Sequence, residues 1–245
     1  MLSLPLAAGF AAAIVSTSFI SGIFGMAGGM ILMGILLAFM PLAPAMVLHG
    51  LVQMASNGWR AWQWRAHIDW RIVGHYAAGA AVATAAVVAM ALAASKAIAL
   101  IIVGVSPVLG LLLPSRLAPD IGRPSHGHGC GVLCTVLQLL AGVSGPVLDV
   151  FFVRSQLDSR QLVATKAAVQ LLGHFLKAGY FGHLLAGGET LSPIAVIVAI
   201  PLAIAGGYLS RFVLETISEI QFRTWSRYVI GVVSTVYLIQ GVVLL

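Results

Sequence analysis

The stretch "SGIFGMAGGMI", residues 21–31, sets Gly22, Gly25, Gly28 and Gly29 inside a long apolar run. Each interior glycine costs a helix about 1 kcal/mol relative to alanine. Four in so short a window mark a planned interruption of the backbone or a very close helix contact. The surroundings decide what kind of interruption it is.

Those surroundings are lipid-like. Of the 245 residues, 60% are hydrophobic and 8% charged, with a mean hydropathy of +1.03. A soluble domain carries about 25% charged residues, so the composition specifies an integral membrane protein. The formal net charge of +6 is spread too thinly to make a nucleic-acid-binding face and is read instead through the positive-inside rule. Cys130 and Cys134 are too few for a disulfide framework. The opening "MLSLPLAAGFAAAIV" lacks a basic region ahead of its apolar run and is read as mature structure.

A bilayer-spanning helix needs about 20 apolar residues. Segments 45–62, 69–93, 96–113, 161–182, 191–211 and 224–244 meet that requirement. Two segments do not fit. Residues 4–40 are too long for one span and hold the glycines at their middle; residues 130–154 are interrupted by "GVSGP" at 142–146. An ungapped offset of 117 residues superposes the two misfits. Gly25 then falls on Gly142, Gly28 on Gly145, Val52 on Val169, Gln53 on Gln170 and Ala61 on Ala178. Rare polar positions coincide as well: His49 with Lys166, Asn57 with His174, Arg60 with Lys177. The chain therefore reads as two transmembrane repeats, 1–113 and 130–245, joined by a cytoplasmic Pro/Gly/His-rich linker, 114–129.

Loop charges give the relative orientation. Residues 60–71, "RAWQWRAHIDWR", hold three arginines where 177–188 holds one lysine. Arg154 and Arg160 fall in 154–160, whose counterpart 37–43 is uncharged. Positive charge at opposite ends of the two copies is what inverted repeats produce. Segments 60–71, 114–129, 154–160 and 211–223 then face the cytoplasm. Because 114–129 and 154–160 share a side, 130–154 is expected to enter and return as a re-entrant hairpin, and 4–40 to do so from the other face. The expected fold is an all-α polytopic membrane protein with two inverted repeats, each of three full helices plus one broken hairpin, about eight membrane segments in all. Eight simple spans, two of them kinked, are the competing architecture.

Irregular backbone at membrane depth is tolerated where protein buries it or a water-filled cavity adjoins it. Broken helices of inverted repeats meet near the midplane, where their N-termini aim free N–H groups at an anion. On that logic Gly25, Gly28 and Gly29 form one half of an anion site, and Ser144 and Gly145 the other. Small-residue helix packing is the competing explanation of the glycines. His49, Gln53, Asn57 and Arg60 share one helix face, and Lys166, Gln170, His174 and Lys177 repeat it. Ionisable groups within membrane helices usually face a cavity, so His49, Gln53, Asn57, Lys166, Gln170 and His174 join the candidate substrate-binding set. The two glutamines also suit interhelical hydrogen bonding. Arg60 and Lys177 lie near helix ends, where snorkelling to the interface is expected. Asp149 is the carboxylate beside the second break, placed either to pair with Lys166 or, with His174, to carry a coupling proton.

Other motifs carry less. "HGHGC" at 126–130 has metal-ligand residue types without a complete set and reads as solvated linker. Cys130, Cys134 and His75 read as packing residues. Trp59, Trp62, Trp64 and Trp70 suit the headgroup layer. No triad, P-loop, nucleophile elbow or carboxylate pair stands out, so no enzyme activity, cofactor or metal is expected.

Taken together, "FISGIFGMAGGMIL", "HIDWRIVGHYAAGA", "AGVSGPVL" and "ATKAAVQLLGHFLKAGYFG" resemble the sulfite exporter TauE/SafE family, in family order over essentially the whole chain. The family's first motif often has three adjacent glycines; here Met30 follows Gly28 and Gly29. The resemblance implies a bacterial inner-membrane transporter that exports sulfite, sulfonates or related small sulfur-containing anions. The residues alone leave three classes open: an alternating-access carrier of a small oxyanion or carboxylate, an anion channel built from the same donors, and a non-transporting membrane subunit or sensor. They also leave open the oligomeric state, a homodimer included.

Overall fold

In a computed structural model of the protein, the described residues are 4–24, 26–92, 94–185, 191–214 and 219–245. Among them the fold is all-helical. In chain order the helices are α1 (Leu4–Phe24), α2 (Met26–Phe39), α3 (Leu42–Gln63), α4 (Trp70–Ala89), α5 (Lys96–Leu112), α6 (Pro124–Ala141), α7 (Gly145–Phe152), α8 (Ser159–Leu185), α9 (Pro193–Leu214) and α10 (Glu219–Val243). Helices take the place of all six expected spans within a few residues of their ends, each apolar misfit divides into two helices, and the second does so at its glycines.

The breaks have local causes. Gly142 ends α6 with φ 79°, a left-handed conformation that glycine adopts without a Cβ penalty. Ser144 then stands at the N-cap position of α7 without a side-chain cap bond, and Pro146 follows in its first turn, where a missing N–H costs nothing. α1 ends at Phe24 and α2 starts at Met26; Gly25 lies outside the described residues. The limbs are unequal. α1 has 21 residues against 14 in α2, and α6 has 18 against 8 in α7. At 1.5 Å per residue α1 alone is about 30 Å long, so the two limbs of the 4–40 segment differ clearly in length.

One sequence expectation is corrected here. "HGHGC" does not lie in a solvated linker, because α6 already starts at Pro124. α6 packs tightly on α4 along this stretch, where a Cβ on Gly127 would come within 2.8 Å of His75 Cβ. A Cβ on Gly131 would come within 2.1 Å of the Tyr76 carbonyl oxygen, and one on Gly79 within 2.1 Å of the His128 carbonyl oxygen. α1 and α9 touch in the same manner, where a Cβ on Gly206 would meet the Val15 carbonyl at 2.4 Å. Backbone approach through small residues is the way helices associate where no hydrophobic force drives them together.

The four most extensive helix pairings are α3 with α8, α1 with α9, α4 with α6 and α5 with α10. α3 and α8 run antiparallel: Gly50 lies against Ala178, Gly58 against Leu171, and the Asp69 N–H donates to Thr165 Oγ1 at 2.9 Å. Val82, Val88, Ile194, Ile197, Val232 and Ile239 are more than half exposed, whereas His49, Gln53, Asn57, His174 and Lys177 are buried. α4 and the Pro193–Ser210 part of α9 are long and apolar enough to cross a membrane. Apolar side chains outside and polar ones within suit a lipid solvent.

The chain ends of the α6–α7 unit come together. The Ile121 N–H donates to the Phe151 carbonyl at 3.0 Å, and Arg154 Nη1 donates to the carbonyls of Arg116 and Ala118 at 3.2 and 3.3 Å. Arg160 also stacks its guanidinium over Trp64, 5.6 Å from the ring centroid. A cysteine at exposed Ser125 and one at exposed Gln156 should thus be labelled by an impermeant thiol reagent from the same side of the membrane. Labelling from opposite sides would replace the returning α6–α7 unit by a simple span.

Candidate functional site

Where α2, α3, α7 and α8 converge, a cavity opens between the two breaks. Ser21, Gly29, His49, Gln53, Asn57 and Arg60 line it from the first half of the chain; Val143, Ser144, Gly145, Gln170 and His174 line it from the second. Its volume is about 20 Å³, room for a water-sized group and little more. Among the described residues no carboxylate lines it. Two polar faces, one on α3 and one on α8, deliver most of these side chains, because the antiparallel crossing turns both stripes inward.

Hydrogen bonds tie the walls to the breaks. His49 Nε2 donates to the Gly29 carbonyl at 2.8 Å, which leaves Nδ1 as an acceptor. Lys177 Nζ donates to that Nδ1 at 2.5 Å and to the Gly142 carbonyl at 2.9 Å. On the other wall, Ser144 Oγ donates to Gln138 Oε1 at 2.9 Å, and Gln138 Nε2 donates to His174 Nδ1 at 2.7 Å. His174 therefore carries its ring hydrogen on Nε2. The two imidazoles lie edge to face with centroids 5.5 Å apart. Asn57 Nδ2 donates to the Gln53 carbonyl at 3.0 Å, and Arg60 Nη2 to the Ser21 carbonyl at 3.4 Å. Ser21 Oγ is buried and has no partner.

The candidate residues thus separate. Gly29, His49, Gln53, Asn57, Ser144, Gly145, Gln170 and His174 meet at the cavity. Gly25 lies outside the described residues. Gly28 turns away: a Cβ there would sit 1.9 Å from the Thr17 carbonyl oxygen, so this glycine lets α2 pack on α1. Lys166 is not at the cavity either; it pairs with Asp149 of α7, and both side chains are partly exposed. That ion pair also takes Asp149 away from the two histidines.

Two expectations about cations are overturned. Lys177 does not snorkel to the interface, because Gly142 and His49 hold it at 0% exposure. Arg60 turns into the cavity, drawn by the Ser21 carbonyl. Sequence reasoning also missed Gln138, buried between Ser144 and His174. The 117-residue offset held the signal for it: Gln138 falls on Ser21, which lines the cavity, and Gln138 itself bonds Ser144 and His174, which line it as well.

The model of the family described as Sulfite exporter TauE/SafE matches residues 10–238. Among curated proteins and among solved structures, no match to the chain was found.

The adjacent glycines separate packing from cavity. Gly28→Ala forces a methyl into α1 backbone and should destabilise the protein by about 1–3 kcal/mol. A Cβ on Gly29 meets the mobile end of Gln53, Nε2 at 2.9 Å, so Gly29→Ala should melt close to wild type. Thermal melting in detergent checks both. Equal losses for the two variants would erase the distinction.

Proposed function

The chain belongs to the sulfite exporter TauE/SafE family, and from that premise we propose that it is a secondary transporter exporting a small sulfur-containing oxyanion, sulfite or an organosulfonate, across a bacterial inner membrane. The family is one of integral membrane transporters rather than enzymes. The observation that carries the finer reading is the lining of the cavity: amide, hydroxyl, imidazole and guanidinium groups, with no carboxylate among the described residues there. Such a lining attracts and orients an acceptor-rich anion and repels cations. Backbone N–H groups at the start of α7 add partial positive charge. Ser21 Oγ, buried and unpartnered, is one further donor for the anion's oxygens.

The anion sits between Gly29 on one side and Ser144–Gly145 on the other. Gln53 and Gln170 orient it from the two halves, while Arg60 supplies charge. Two inverted repeats, 1–113 and 130–245, would move against each other around this point. Exchanging the halves turns the α1–α9 pairing into α6–α4 and maps α3–α8 onto itself, which supports that architecture. The narrowness of the cavity favours a carrier over a channel, because the wall must move to admit or release a sulfur oxyanion. Saturable, counterflow-stimulated sulfite flux in proteoliposomes would bear this out; ohmic anion current would establish a pore instead.

A hydrogen bond to a charged group contributes about 1.5–3 kcal/mol, which is about tenfold or more in affinity. Gln53→Ala, Gln170→Ala and Arg60→Gln should each weaken sulfite binding at least about tenfold in isothermal titration. Wild-type affinity in both glutamine variants would move the anion to another depth.

A further inference from the structure

Lys177 is wholly buried, and among the described residues no carboxylate pairs with it. Its Nζ has two acceptors, the Gly142 carbonyl and His49 Nδ1. Two N–H groups suffice for both bonds. An ammonium has three hydrogens, and the third finds no acceptor there. A buried charge without an opposite charge is strongly destabilising. Positive charge on Lys177 is therefore matched only when negative charge arrives beside it, and the cavity on the far side of His49 is where an anion would bring it.

We infer that a divalent oxyanion enters the cavity together with one proton, and that the proton is held on Lys177 Nζ. This deepens the transport reading above and rests on it. Arg60 at the cavity wall contributes one positive charge and protonated Lys177 the second, so the loaded site balances a dianion. The proton is taken from water on the side where the anion enters and released on the side where it leaves; only an N–H bond forms and breaks.

The surrounding groups offer no better seat for it. On α3, His49 has both ring nitrogens engaged, Nε2 by Gly29 and Nδ1 by Lys177. On α8, His174 Nδ1 is engaged by Gln138 of α6, and Lys166 is tied to Asp149 of α7. Cys130 and Cys134 of α6 face each other, Sγ to Sγ 3.8 Å. From α4, the Tyr76 hydroxyl lies against Gly173. α1 and α2 carry no ionisable side chain, and of the described side chains on α9 only Tyr208 is ionisable.

Isothermal titration of the purified full chain with sulfite, in alkaline buffers of different ionisation heat, counts the protons taken up. Sulfite is then a dianion. Wild type should take up about one proton per anion bound, and its Kd should rise about tenfold per pH unit. Lys177→Arg keeps two donors at this position on a group that is always charged; it should bind sulfite with no proton uptake and a Kd independent of pH. Binding without proton uptake in wild type overturns the inference whatever the variant does. Uptake that persists in Lys177→Arg puts the proton on the anion itself and also overturns it. No binding heat with sulfite overturns the anion site as well, and so is distinct from binding without a proton.

Discussion

Everything in the centre of this protein hangs on one buried amine. Lys177 joins the carbonyl of Gly142, at the second break, to His49, which in turn holds the carbonyl of Gly29, beyond the first. A helix break leaves backbone groups without intrahelical partners, and in lipid no water replaces them. The lysine answers that need at one break directly and braces the other through the imidazole. The same two bonds fix the His49 tautomer and set the separation of the cavity walls. One side chain thus satisfies a backbone carbonyl at one break and, through His49, steadies the other.

The rest of the architecture serves to bring the two breaks together. Glycine contacts lay α1 on α9 and α4 on α6 backbone to backbone, and α3 crosses α8 with both polar stripes turned inward. Two apolar clusters flank the crossing, one centred on α2 and α3, the other on α4, α6 and α7. The polar cavity occupies the seam between them. A site on such a seam changes shape when the clusters shift against each other, which is what alternating access requires.

The helices, the break at Gly142 and the inward face of α3 are legible in the sequence, because hydropathy, glycine and periodicity report directly on backbone and burial. Gln53, Gln170, Asn57 and His174 were found because a polar residue deep in an apolar span has few uses. Lys177 departs from the expectation because distance from a helix end predicts snorkelling only where the helix end meets water, and Arg60, although near its helix end, is turned inward by the Ser21 carbonyl. α8 runs on to Leu185, so Lys177 lies two turns inside it. Gly28 and Lys166 were misjudged because residue type does not say which neighbour is nearer; Gly28 found α1, and Lys166 found Asp149. Gln138 escaped because a lone glutamine in α6 acquires meaning only once the chain brings Ser144 and His174 to either side of it.

The central claim is that both breaks form the walls of a single anion site. It is tested most directly by locating a bound anion through its own scattering. Selenite has the charge and pyramidal shape of sulfite and an anomalous signal. In crystals grown with selenite, the account predicts one anomalous peak between Gly29 and Ser144–Gly145, within hydrogen-bond reach of Gln53 and Gln170. A peak confined to the arginine-rich loop near Arg65 and Arg71, or no peak in the cavity at saturating selenite, would contradict it.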